Sequence, residues 1–417
     1  GMRLRANNRD ITVANLSSVT GVIGQGVFAR STGCAITIET IDAVSSNGPV
    51  EGYVSSYYNN VGSIDYARAV KASYAIDADS RIKTTALDGN GDPVTDSYGL
   101  VQFTYSGGNT VSVQNVSIPK TDDDDDIATP EVASSNGIRA LSGTGAINLG
   151  FGDLNDDADD ADSAIGDINT RGTAIFAQSE EGAISINVDG DIVSDDKGIV
   201  VDNNGTGETR IEVQSITSSD GTAIYVTSYE NTSSVTIKAE GALEAERSGV
   251  YLDHEGSGNV LIETDRILAS GFAGIEASST SPSSADMTIR STGSVSGGSF
   301  GIRANHTGTG ALTIEATDTT ANAIGIFASH QGGDISVTST GAISAKVIGV
   351  FVNNTGTDGK VTVEVYDVDL DSGSAIFVQN QSSDSTQLTI NGNVSGDFQD
   401  AIISLTTASG AHVTVSE

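Results

Sequence analysis

The sequence predicts an all-β fold, a right-handed parallel β-helix with about 25 residues and three short strands per coil, and three observations predict it. The first is a repeat. Gly or Ala followed by Ile or Val recurs at 137, 174, 198, 223, 249, 274, 301, 325, 349, 375 and 401, and the nine steps from 174 to 401 cover 227 residues, about 25 each. A fixed spacing of this size marks one stacked unit per repeat. The second is the period inside each unit: apolar residues alternate rather than recurring every three and four, which excludes a helical solenoid. The third is composition. With 49 Gly, no Trp and 5% aromatic residues, the interior has to be built from small and β-branched side chains.

Each anchor leads a first strand. One residue past it stand Ile138, Ile175, Ile199, Ile224, Val250, Ile275, Ile302, Ile326, Val350, Ile376 and Ile402, and three past it Ala, Val or Leu, with Ser404 the exception. Those two positions face inward and the varied one between them faces out. A second strand follows in ISI (184–186), VTI (235–237), LTI (312–314), ISV (335–337), VTV (361–363) and LTI (388–390), with Thr236, Thr313, Thr362 and Thr389 among its outward members. A third follows a glycine in GDIV (190–193), GALE (241–244), GSVS (293–296), GAIS (341–344) and GNVS (392–395). Glycines at the anchors and corners are expected to supply turn conformations closed to other residues.

Upstream the pattern thins to GVFA at 26–29, GYVS at 52–55 and GLVQ at 99–102, and the step from 137 to 174 is too long for one plain coil. Residues 1–136 therefore read as N-terminal coils with insertions and 137–417 as regular repeats of one solenoid. About 15 coils at roughly 4.8 Å give a rod of about 70 Å. The last coil, AIISLTTASGAHVTVSE, carries no polar cap, and the expectation is that the native chain continues past it.

Lys plus Arg number 20 against 55 Asp plus Glu, a net charge of −35, which argues against nucleic acid or anionic lipid as a partner. A single cysteine, Cys34, excludes an intrachain disulfide framework. Enzyme signatures fail on inspection. Asp371-Ser372-Gly373-Ser374 imitates a serine-protease nucleophile segment but follows Leu370 where that segment has glycine, and Arg81-Ile82-Lys83-Thr84 imitates a pectinase strand without its GHG partner. His254, His306 and His330 each lie five past an anchor, where other coils carry Asn203 and Asn354, and read as exposed turn residues with His306 and His330 on neighbouring coils.

Two further features suggest binding. In ALDGNGDPVTDSYG, Asp88, Asn90, Asp92 and Asp96 fall at places 1, 3, 5 and 9 of an EF-hand-like loop, a candidate calcium site with Pro93 and Gly99 as departures; the alternative is a hydrophilic hairpin. The acid-rich stretch 121–168 reads as a solvated insertion or a loose divalent-cation binder. Two residues past their anchors lie Phe176, Tyr225, Tyr251, Phe327, Phe351 and Phe377, an outward column of rings and the candidate ligand or partner face; the alternative is that neighbouring rings only shield one another.

The G-[IV]-x-[AV] anchor, the GTG turns (143–145, 205–207, 308–310) and the G-x-[IV] return resemble the passenger regions of bacterial autotransporters, the β-helical adhesins of Gram-negative outer membranes. The resemblance covers residues 130–417 well and the earlier part loosely. It implies an extracellular, cell-surface location, tethering to the outer membrane by a barrel outside this sequence, and a non-enzymatic role in adhesion or self-association. The implied partner is a host or neighbouring-cell protein or glycan, or another copy. Alternatives are a polysaccharide-processing β-helix enzyme and a segment of another extracellular fibre or filamentous adhesin.

Overall fold

The computed structural model describes residues 2–7, 10–13, 16–21, 27–32, 35–38, 41–46, 76–80, 82–85, 103–106, 111–113, 136–151, 164–382, 384–397, 400–406 and 411–415. It is a parallel β-solenoid. The anchor strands stack into one sheet of fourteen, each paired in parallel with its counterpart one coil on. Eleven of them, from Ile138–Ser142 to Asp400–Thr406, form the regular run of about 25 residues per turn, and Met2–Asn7, Val27–Thr32 and Ile76–Asp79 extend it upstream.

The register follows the repeat. Ile302 pairs with Ile326, Ile326 with Val350 and Val350 with Ile376, so one side-chain type occupies one level of the interior from coil to coil. Two more parallel ladders complete each turn. The second contains Val260–Thr264, Met287–Ser291, Leu312–Ala316 and Ile335–Ser339, and the third Leu243–Ala245, Ile267–Ala269, Val295–Gly297 and Thr319–Ala321. The continuous strands Ile184–Ser194 and Thr209–Ser218 run through the corner and join the two ladders, with a register shift between Val188 and Asp191. Among the described residues one strand pair is antiparallel, Ile82–Thr85 with Phe103–Ser106.

The core is a column of Ile, Val, Leu and Ala, with Met287 added, buried from Ile11 to Ile390. Burial drives this because one apolar edge per strand, repeated in register, removes a continuous stripe from water. Thr389, which the motif pattern sets beside Thr362, pairs instead with Glu364, and Thr362 faces Gln387.

Two expectations are corrected. The residue five past each anchor is not exposed: His254, His306, His330, Asn203, Asn354 and Asn380 are between 0 and 1% accessible. Together with Ser142, Ser179, Ser228 and Ser279 they form an internal polar ladder at the first corner. The reason is the corner backbone, whose amides and carbonyls turn away from the neighbouring ladders and need partners. Asn354 accepts the Gly356 N–H (3.0 Å) and donates to the Gly359 carbonyl (3.3 Å) and to Asn380 Oδ1 (3.2 Å). His330 donates from Nε2 to the Gly310 carbonyl (2.7 Å) and accepts the Gln331 N–H at Nδ1 (2.9 Å).

The second correction concerns glycine. Among the described residues only Gly150, Gly359, Gly373 and Gly396 have positive φ, and none of them is an anchor. Where the anchor is glycine, it is closeness that favours it. A Cβ on Gly325 would lie 2.4 Å from Ile343 Cγ2 and 2.6 Å from the Gly349 carbonyl, and one on Gly349 would meet Val368 Cγ1 at 2.5 Å.

Candidate binding face

The outward surface of the anchor sheet carries the ring column, and strand pairing determines which rings meet. Phe327 pairs with Phe351 and Phe351 with Phe377, so the rings lie one coil apart. Their centroids are 5.1 and 5.0 Å apart with interplanar angles of 4° and 5°. Tyr225 and Tyr251 form a second stack at 4.6 Å and 7°. Between the two stacks the same column holds Glu276 and Arg303, joined by an ion pair of 2.5 Å. Phe176 stands apart, in register with Arg139 and Val200. The column is thus two stacks and an isolated ring. All six rings are half-buried, and in the two stacks each ring covers part of its neighbour.

Two rings of this face lie outside the column. Phe300 meets Phe327 edge to face at 6.1 Å, and Phe272 meets Phe300 at 5.5 Å. Arg303 lies over both, 5.5 Å from the Phe300 ring centre and 5.9 Å from that of Phe272. The signal for Phe300 was present: Phe300, Ile324 and Ile348 each directly precede an anchor glycine and share one register column. The strands from Ser248–His254 to Asp400–Thr406 begin at or just before that residue, which the motif reading had left in the corner. The Phe row is therefore widened by Phe300, Ile324 and Ile348. Beside it, two places further along each strand, runs a polar column of Asn305, Ser329, Asn353 and Gln379.

Ring orientation limits what the row can hold. Parallel rings about 5 Å apart cover each other's faces, so Phe351 presents mainly its edge to a partner. An edge strip suits packing against apolar side chains, whereas sugar rings stack on open aromatic faces.

Asp88, Asn90, Asp92 and Asp96 lie outside the described residues, as does most of the acid-rich stretch 121–168. Among the described residues no group of three or more His, Cys, Asp or Glu is arranged to hold a metal ion. Ser372 donates its hydroxyl to the Lys346 carbonyl (2.9 Å), a hydrogen bond that ties one corner to the coil before it. No family model, curated protein or solved structure matches the chain. The class of protein is set by the fold itself: a parallel β-solenoid with a ring-bearing outward sheet.

Proposed function

We propose that the chain is the passenger part of an autotransporter-type protein, displayed outside a Gram-negative cell, where it serves as a non-enzymatic binding surface for adhesion or self-association. The observation that carries this reading is the stacked row Phe327, Phe351 and Phe377, broadened by Phe300 and lined by Asn and Gln, on the outward side of a rigid sheet. Apolar strips with polar rims mark interaction surfaces. The ring edges favour a protein partner there, either a second solenoid or a protein on a neighbouring surface. A repeat of one coil also lets such a contact extend along the rod by adding identical steps.

The triple variant Phe327→Ser, Phe351→Ser, Phe377→Ser tests it. Removing two stacked pairs at roughly 0.5–1.5 kcal/mol each lowers stability modestly. The expected result is that the wild type self-associates in sedimentation velocity, or captures a protein on an array, and that the variant does neither while keeping its β-type circular dichroism. A wild type that stays monomeric at every concentration, with no array ligand lost in the variant, would reduce the row to a structural stack.

A further inference from the structure

A shallow depression of about 420 Å³ opens beside the tyrosine stack, within the size range of small-ligand sites. Lys197, Arg247, Tyr225, Tyr251, Phe272 and Glu276 line it. We propose that this depression binds a sugar residue that carries a carboxylate. The proposal rests on the reading of the solenoid as a binding surface, but it uses none of Phe327, Phe351 or Phe377.

Charge is the first argument. Acids outnumber bases 55 to 20, so carboxylate partners are plentiful for arginines on this surface. Arg210, Arg266, Arg290 and Arg303 all have Glu partners, at 2.9, 2.5, 2.9 and 2.5 Å. Arg247 is exposed and has no carboxylate partner among the described residues. Lys197, two coils before it, has only a long 3.5 Å contact to its chain neighbour Asp196. Glu276, the acid on the wall, is already engaged by Arg303. The depression therefore offers a guanidinium fork with no carboxylate partner among the described residues, with the Lys197 ammonium in the same lining, and a carboxylate matches the fork with two parallel hydrogen bonds.

The walls point to the rest of the ligand. Phe272 is 37% exposed, and its N–H bonds the Arg247 carbonyl (2.7 Å), which places the ring one coil beyond the arginine. Phe300 and Arg303 approach Phe272 from the following coil, while the depression lies toward the preceding one. That side is an apolar wall against which the C–H face of a sugar ring can lie. The stacked tyrosines add two phenol groups. Burial and the neighbouring Tyr225 push the Tyr251 phenol up from its ordinary value, so it remains a hydrogen-bond donor at neutral pH. A long polyanion is repelled by the net charge of −35, whereas a single carboxylate meets mainly the local field of Arg247 and Lys197.

Isothermal titration with N-acetylneuraminyl-lactose and with a galacturonic acid trisaccharide, each beside its methyl ester and beside a sulfated lactose, tests the assignment. The expected result is that at least one acid binds with millimolar or tighter affinity, tenfold or more above its ester and above the sulfated sugar. Arg247→Gln is expected to lose at least tenfold in affinity at an unchanged melting temperature, with Arg247→Lys between the two. The triple Phe variant keeps the sugar affinity, so a failed contact row and a failed sugar site give different results. Absent binding of both acids, equal binding of acid and ester, equal binding of the sulfated sugar, or full affinity in Arg247→Gln would each overturn the proposal.

Discussion

His306 and His254 lie buried in the corner ladder, where His254 Nδ1 meets Ser228 Oγ at 2.7 Å. Burial, joined at His306 by the His330 ring 4.6 Å away, lowers both from 6.5 to about 4. The unfolded chain therefore binds protons near pH 6.5 that the folded chain takes up only near pH 4. Stability from this source is complete above pH 6.5 and is lost as pH falls toward 4. At 1.36 kcal/mol per unit the loss is at most roughly 3 kcal/mol per histidine. Protonation of the many acids relieves repulsion and works in the opposite direction, so the comparison has to be with a variant. In urea unfolding between pH 7.5 and 4.5, the wild type should lose several kcal/mol more than His254→Asn, His306→Asn, which places at these levels the residue found at 203 and 354. Parallel pH profiles for the two proteins would mean that the imidazoles titrate normally.

At the scale of the strand, the interior pattern was legible because it needs only alternation: Ile326 in, Phe327 out, Ala328 in. The ring stacks were legible as well, since a parallel register carries equal offsets from equal anchors into contact. The corner ladder was not. A polar residue followed by a glycine-rich turn has the local sequence of an exposed loop, and only the stacking of coils closes backbone over His306 and Asn354. The preference for small residues at the anchors was legible but not its cause, which lies in residues from other strands. Gly325 is confined by Ile343 from the third ladder and by the next anchor's carbonyl, so Gly325→Val should destabilise by roughly 1–3 kcal/mol or more through overpacking. Ile343→Ala, which carries its own cavity cost, should cost less in the Gly325→Val background than alone, because it removes the side chain nearest the new Cβ. If thermal melts show the double variant losing the sum of both single effects, the close-approach explanation fails.

Across the whole molecule, fourteen stacked strands at roughly 4.8 Å span about 60 Å, and the chain as a whole carries a net charge of −35. Ion pairs do little to offset this. Lys238–Glu263, Arg290–Glu263 and Arg290–Glu315 link successive coils, but all face solvent, where water and salt screen them. With 55 acids against 20 bases, repulsion must outweigh pairing. The unfolded chain spreads the same charge over a larger volume, so screening favours the folded rod. Raising NaCl from 10 mM to 0.1 M shortens the Debye length from about 30 to about 10 Å and should raise the melting temperature by several degrees. Sucrose at matched osmolality supplies no ions and serves as the control. A melting temperature that falls with NaCl would mean that the ladder of ion pairs, rather than repulsion along the rod, dominates the electrostatics of the fold.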